Sequence, residues 1–260
     1  MASFEEMKKV LFFLSILAIL RQQNPTVMPT SNTDILDYKH FLHTLRALGA
    51  KMYHAPALHV ALLKAWDEPH RIFHNREHLR GCLFHLEQER WGGLIDTVDR
   101  GILALALWFH DAVYDVKAPD NEEKSAAWAM QSLALLDLSA EHLEKVRHLI
   151  LSTKLSYTRT ECKLEAWMHD LDLHVFGIPL ERFAQSTQDI RREFAWVDDL
   201  NYRRASDLVL RRLINHPLGV YRTEAGRLDY EDIARTNIDI YLLSLKNLQM
   251  TLEVPEADVL

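Results

Sequence analysis

Residues 103–115 read LALALWFHDAVYD. From Ile102 to Phe109 no position is polar, so a helix built from this run is hydrophobic all round and belongs in the middle of a core. The run ends in His110 and Asp111. A bare carboxylate at the edge of a core is costly unless something pairs with it, so the stretch demands a partner from elsewhere in the chain.

Outward from it, the rest of the sequence is helical in pattern. Apolar residues recur at three and four over residues 36–48, 58–66, 78–89, 98–109, 126–136, 143–151, 164–175, 180–197, 205–214 and 233–248. With only eight Gly and eight Pro among 260 residues and few strand signals, the reading is an all-α bundle. Asp120 with Glu123 three residues on has the arrangement of a capping box, and NHPLG at 215–219 punctuates a helix end. No internal repeat is visible. The simplest division is an N-terminal apolar segment and linker over 1–33, one helical domain over 34–250, and a tail over 251–260.

Composition narrows the function classes. Thirty basic against 37 acidic side chains give a net charge of −7, which argues against a broad nucleic-acid surface and leaves room for a local pocket for a small anion. Cys82 and Cys162 form no CxxC and read as reduced core thiols. Near the N-terminus, MKKVLFFLSILAIL carries two lysines and an eleven-residue apolar run, Val10 to Leu20, but no small-x-small cleavage site follows. That run is too short to span a bilayer unaided. The expectation is a cytoplasmic protein with an amphipathic appendage or an upstream start, Met28 being a natural internal beginning; export or membrane attachment through residues 7–20 is the alternative.

Partners for Asp111 must be metal-ligand types that separate helices can bring to one point. FHNREHL at 73–79 places His74 and His78 four apart, on one helix face. WMHDLDLHVFG at 167–177 offers Asp170 and Asp172, two apart, so only one easily faces a common point. Against the core stripe Leu164, Trp167, Met168, Leu171 and Val175, Asp172 lies about 80° from the centre and Asp170 about 120° on the other side, at 100° per residue. Asp172 is the better inward candidate.

A His, an adjacent His-Asp pair and a distant Asp, here at intervals of 32, 1 and 61 residues, resemble the ligand order of the HD superfamily of metal-dependent phosphohydrolases. Within it the chain looks most like the small predicted HD phosphohydrolases carrying YHNxxH, WFHDxxYD, DNEExSA and DxDLxxxG, which read here as FHNREH, WFHDAVYD, DNEEKSA and DLDLHVFG. The match covers most of residues 36–245. It implies a single HD-type helical bundle and one divalent transition metal ion (Mn, Fe, Co, Ni or Zn) held by His78, His110, Asp111 and Asp172. Two imidazoles with two carboxylates suit such a borderline ion, whose activated water would hydrolyse a phosphoester of a nucleotide or similar small phosphorylated metabolite. The alternatives are a non-catalytic HD module that binds a nucleotide or a protein partner, and a cyclic-nucleotide phosphodiesterase-like enzyme.

Further roles follow from related signatures. FHNREH is also similar to the YHNxxH of class I cyclic nucleotide phosphodiesterases, which implies His74 as proton donor and His78 as ligand. Those enzymes carry another His where this chain has Tyr114, which puts a second metal and cyclic-nucleotide specificity in doubt. HDAVYD is similar to the HDTVED of enzymes that hydrolyse guanosine tetraphosphate; Asp115 matches the catalytic Asp, while Tyr114 replaces the Glu. Glu122 and Asn121 are candidates for supporting a ligand or water, with helix-start chemistry as the competing reading. Arg191, Arg192 and Glu193, in DIRREF, are similar to the IRxEY of the same group; one Arg, Arg191 first, is a candidate phosphate clamp, with solvated salt bridging as its competitor, and Asp170 is the substitute for Asp172.

Overall fold

The structure is a computed structural model that describes residues 34–88, 93–155 and 162–252, with side chains to residue 246. Contacts divide the chain after Asp34, and everything below concerns the unit from Ile35 onward. The apolar run at 7–20 lies outside the described residues. Among the described residues there are ten α-helices and no strand: α1 Tyr38–Ala47, α2 Ala55–Trp66, α3 Arg76–Glu87, α4 Thr97–Phe109, α5 Asn121–Ala134, α6 Ala140–Ser152, α7 Lys163–Asp172, α8 Leu180–Glu193, α9 Asp199–Ile214 and α10 Glu224–Leu252. A 3-10 segment, Leu173–Gly177, continues α7. No helix among them is long and apolar enough to cross a membrane.

The apolar run at 102–109 does what its sequence requires. Every residue of α4 from Gly101 to Phe109 is buried, because α1, α3, α5, α6 and α7 all pack against it. Its start is fixed by Asp96, whose carboxylate accepts from the backbone N–H groups of Val98 and Asp99 at 3.0 and 2.9 Å. Asn75 caps α3 in the same way through Glu77 N–H, and Ser139 caps α6 through His142 N–H. The capping box at Asp120 does not form. Asp120 bonds Lys124 one turn on and Glu123 pairs with Lys154, so both carboxylates answer lysines instead of the first-turn N–H groups.

Around α4 lies the main core, with Trp66, Trp108, Phe41 and Phe109 among its fully buried side chains. A second, smaller cluster of Leu210, Val220, Tyr221, Ala234, Ile238 and Leu242 joins α9 to α10. Cys82 is buried as expected, whereas Cys162 is exposed, because it precedes α7 instead of lying on a packed face.

Candidate metal centre

Three elements meet at one point. α3 brings His78 in its first turn, the end of α4 brings His110 as its C-cap, and the last residue of α7 brings Asp172. His78 Nε2 lies 3.3 Å from His110 Nε2 and 3.2 Å from Asp172 Oδ1, and His110 Nε2 lies 3.4 Å from that same oxygen. Donors about 2.1 Å from a common tetrahedral ion are separated by about 3.4 Å. The three side chains therefore fit a divalent cation without rearrangement. His110 is set up for this, since its Nδ1–H donates to Leu107 C=O at 2.8 Å and leaves the Nε2 lone pair free. His78 Nδ1 is buried with no partner, so the polar contacts of this ring lie on its Nε2 side, while Trp66 and Phe73 pack against it.

Asp111 stands at the edge of the set. Its Oδ2 is 3.3 Å from His110 Nε2, but the mutually close triad is His78, His110 and Asp172. The charged groups of the site hold one another. Burial pulls His110 down, yet Asp111 and then Asp172 outweigh it and hold the imidazole up at about 9. Burial would raise Asp172, but hydrogen bonds and charge from His110 and His78 keep it well below the usual carboxylate range. A proton on His110 supplies the positive charge on which these groups converge.

Asp170 is not part of this point. It is fully buried and accepts from Arg222 N–H at 2.7 Å, Thr223 N–H at 2.8 Å and the Thr223 hydroxyl at 2.7 Å. Thr223 Oγ1 in turn accepts from Gly226 N–H, so Asp170 anchors the start of α10. Burial pushes its carboxyl up to about 6 in spite of these donors. The helical angles made Asp172 the more inward of the two, yet Asp170 is the more deeply buried, because the segment before α10 covers its side of α7; Asp172 is the one that meets His78 and His110.

His74 sits beside the triad, its ring centroid 5.8 Å from that of His78 and its side chain 23% exposed. Its Nδ1 lies 2.6 Å from Glu193 Oε2. Glu193, the last residue of α8, also accepts three consecutive backbone N–H groups through Oε1, from Ile72 and Phe73 at 2.7 Å and from His74 at 2.9 Å. The Tyr114 hydroxyl donates to Oε2 at 3.2 Å, and the Tyr114 ring stacks on His74 with centroids 4.5 Å apart. Burial lowers the His74 pKa, but the Glu193 hydrogen bond and the charges of Asp111, Glu193 and Asp172 more than reverse it. Glu193 is itself held at about 2: burial opposes ionisation, and the His74 bond and charge with the backbone donors prevail.

Arg71 locks this arrangement to α4. Its guanidinium is fully buried and donates to the carbonyls of Asp111 at 2.7 Å, His74 at 3.1 Å and Ala112 at 3.2 Å, while Glu68 accepts from it at 3.0 Å. One side chain thus joins the segment before α3 to the segment after α4.

The remaining candidates have structural partners. Asp115 is exposed, and its Oδ1 accepts from Lys117 N–H at 2.9 Å. Asn121 receives Asp115 N–H and donates to Asp115 C=O, and Ser125 exchanges two bonds with Val113. The DNEEKSA stretch therefore pins the turn that follows His110-Asp111. Glu122 is half-buried; burial raises its pKa, with Asp111 among the contributing charges. Arg191 donates to Phe194 C=O, Val197 C=O and Asp199 in the α8–α9 turn and lies over the Tyr202 ring, contacts that match the salt-bridging reading and not the clamp. No family model, curated protein or solved structure matches the chain.

Proposed function

We propose that the protein is a metal-dependent phosphohydrolase of the HD kind, acting on a nucleotide or similar small phosphorylated metabolite. The observation that carries this reading is the convergence of His78 Nε2, His110 Nε2 and Asp172 Oδ1 within 3.2–3.4 Å, beside a part-exposed His74 held by a buried carboxylate. His78, His110 and Asp172 are the ligands in this reading, with Asp111 adjacent. A divalent ion bound there supplies Lewis acidity toward a phosphoryl oxygen and makes water more acidic.

The chain's own contribution is a proton. With Nδ1–H directed at Glu193, His74 is stabilised as imidazolium and carries its second proton on Nε2. A leaving oxygen that takes this proton departs as an alcohol instead of an alkoxide. Tyr114 covers one face of the ring and Glu193 fixes its rotation, so the acid is oriented before substrate arrives. In the deprotonated form the same Glu193 bond fixes the tautomer and leaves Nε2 free to receive a proton.

Metal analysis of the purified protein, followed by assay against nucleoside mono-, di-, tri- and cyclic phosphates, tests the activity. The sharper test is His74→Ala. It should keep the metal and lower kcat by about 10² to 10⁴, with a smaller loss on a p-nitrophenyl ester than on an alkyl or ribose ester. Equal losses on both ester types would remove His74 as the acid. A tight nucleotide complex with no turnover under any metal would replace the hydrolase with a binding module.

A further inference from the structure

His78 belongs to a second cluster as well. One turn further along α3, Cys82 Sγ lies 3.7 Å from His78 Nε2, and on the 3-10 segment His174 Nδ1 lies 3.7 Å from the same sulfur. All three side chains belong to residues at least nine-tenths buried. The donors fall into two triads, each mutually within 4.8 Å and joined only at His78. The first presents nitrogen, nitrogen and oxygen; the second presents nitrogen, sulfur and nitrogen.

Distances and surroundings both suit a cation in the second triad. A nitrogen about 2.1 Å and a sulfur about 2.3 Å from a tetrahedral ion are about 3.6 Å apart, close to the 3.7 Å found on each side of Cys82. His174 is seated by an absence: a Cβ on Gly81 would lie 2.3 Å from His174 Nε2, so only glycine at that place admits the ring. Behind it, the His85 ring stands 5.0 Å away by centroid, with the Tyr230 hydroxyl 3.3 Å from His85 Nδ1.

We propose that His78, Cys82 and His174 form a second cation position for thiophilic divalent ions such as zinc or cadmium, and that the two positions exclude each other because His78 Nε2 serves one ion at a time. Softness divides the ions: thiolate with imidazole selects zinc or cadmium, while imidazole with carboxylate is left to manganese or iron. Binding at the second position releases the Cys82 thiol proton to solvent. His174 Nδ1 gives up its 2.9 Å contact with Leu171 C=O and faces the ion, its proton residing on Nε2. A thiophilic ion thereby takes His78 away from His110 and Asp172. The exclusion rests on the metal-centre reading above; the second position does not.

Cadmium and cobalt titrations of the full-length, chelator-stripped protein test it through the thiolate-to-metal charge-transfer absorption. The band should appear with one equivalent in the wild type, in Cys162→Ala and in His110→Ala. It should be lost in both Cys82→Ser, which keeps the volume, and Cys82→Ala, with helical circular dichroism unchanged. Manganese followed by its paramagnetic resonance spectrum should be expelled by one equivalent of cadmium from the wild type but not from Cys82→Ser. A band that survives both Cys82 variants, or no band with either ion, overturns the second position. Loss of the band in His110→Ala shows one mixed donor set and overturns the division into two. Manganese and cadmium bound together overturns the exclusion. Failure of manganese to bind or of any phosphoester to be cleaved refutes the phosphohydrolase alone, since the cadmium band is read without either.

Discussion

Glu193→Gln isolates the best-defined charge in the structure. The glutamate side chain is 1% exposed, accepts from three backbone N–H groups, and is held at about 2 against an ordinary value of 4.5. That depression of about 2.5 units corresponds to about 3 kcal/mol at 1.36 kcal/mol per unit. The sign follows from linkage. Because the folded value lies below the unfolded one, the contribution is fully present above about pH 4.5 and is lost as the pH falls toward 2, leaving about 1.5 kcal/mol at pH 3. Glutamine keeps an oxygen for the backbone donors but does not ionise, so the stability gap between wild type and variant should narrow by about 2 kcal/mol from pH 7 to pH 3. Urea unfolding at the two pH values measures it. The same substitution should lower the His74 pKa, followed by nuclear magnetic resonance, while leaving bound metal in place. A gap of equal size at both pH values would refute the claim that Glu193 is ionised in the fold, and with it the account of how His74 is held.

Three further outcomes separate ligands from supports. Asp172→Ala should abolish metal binding and also destabilise the apo-protein, because it removes the carboxylate that His110 and His78 hold ionised, whereas Asp170→Ala should retain the metal while losing about 3 kcal/mol, because it strands buried donors at Arg222 and Thr223; metal analysis separates the two, and denaturation checks each loss. Arg71→Met leaves the carbonyls of Asp111 and Ala112 without their donor, and should cost about 3 kcal/mol and weaken metal binding about 10- to 100-fold by calorimetry. Leu105→Ala, in the fully buried stretch of α4, should cost about 2–5 kcal/mol in thermal or urea unfolding.

Much of the architecture was legible because burial writes a period into the chain. Each of the ten apolar-periodic segments corresponds to one helix, and the all-polar-free run at 102–109 announced the central one. The starts of α9 and α10 were not legible: residues 199–204 and 224–232 are dominated by charged and polar side chains, and α10 begins where it does because Asp170, 53 positions before Thr223, holds its first turn. Helical angles put Asp170 and Asp172 on different sides of α7 but missed that Asp170 is the more buried, because the cover over it comes from residues 222–223, about 50 positions later. Glu193 stood out only as part of DIRREF, and its role as the partner of His74 was hidden for a physical reason. It follows two arginines in DIRREF, a context that reads as solvated salt bridging, and its burial depends on packing against residues 72–74, about 120 positions earlier. Cys82 left a fainter trace, being four residues after His78 and so on the same face; His174, on a 3-10 segment, left none in a helical period.

The burial of α4 also fixes what charge its end must meet. Peptide dipoles along a helix sum to roughly half a negative charge at its C-terminus, and here that end is enclosed, with the Asp111 and Asp172 carboxylates beside it. Arg71 answers part of this negative field by binding the carbonyls just past the helix. The proton on His110 answers the rest, so a divalent cation held by its Nε2 would take that proton's place, and its uptake would be coupled to proton release by the direction in which α4 runs.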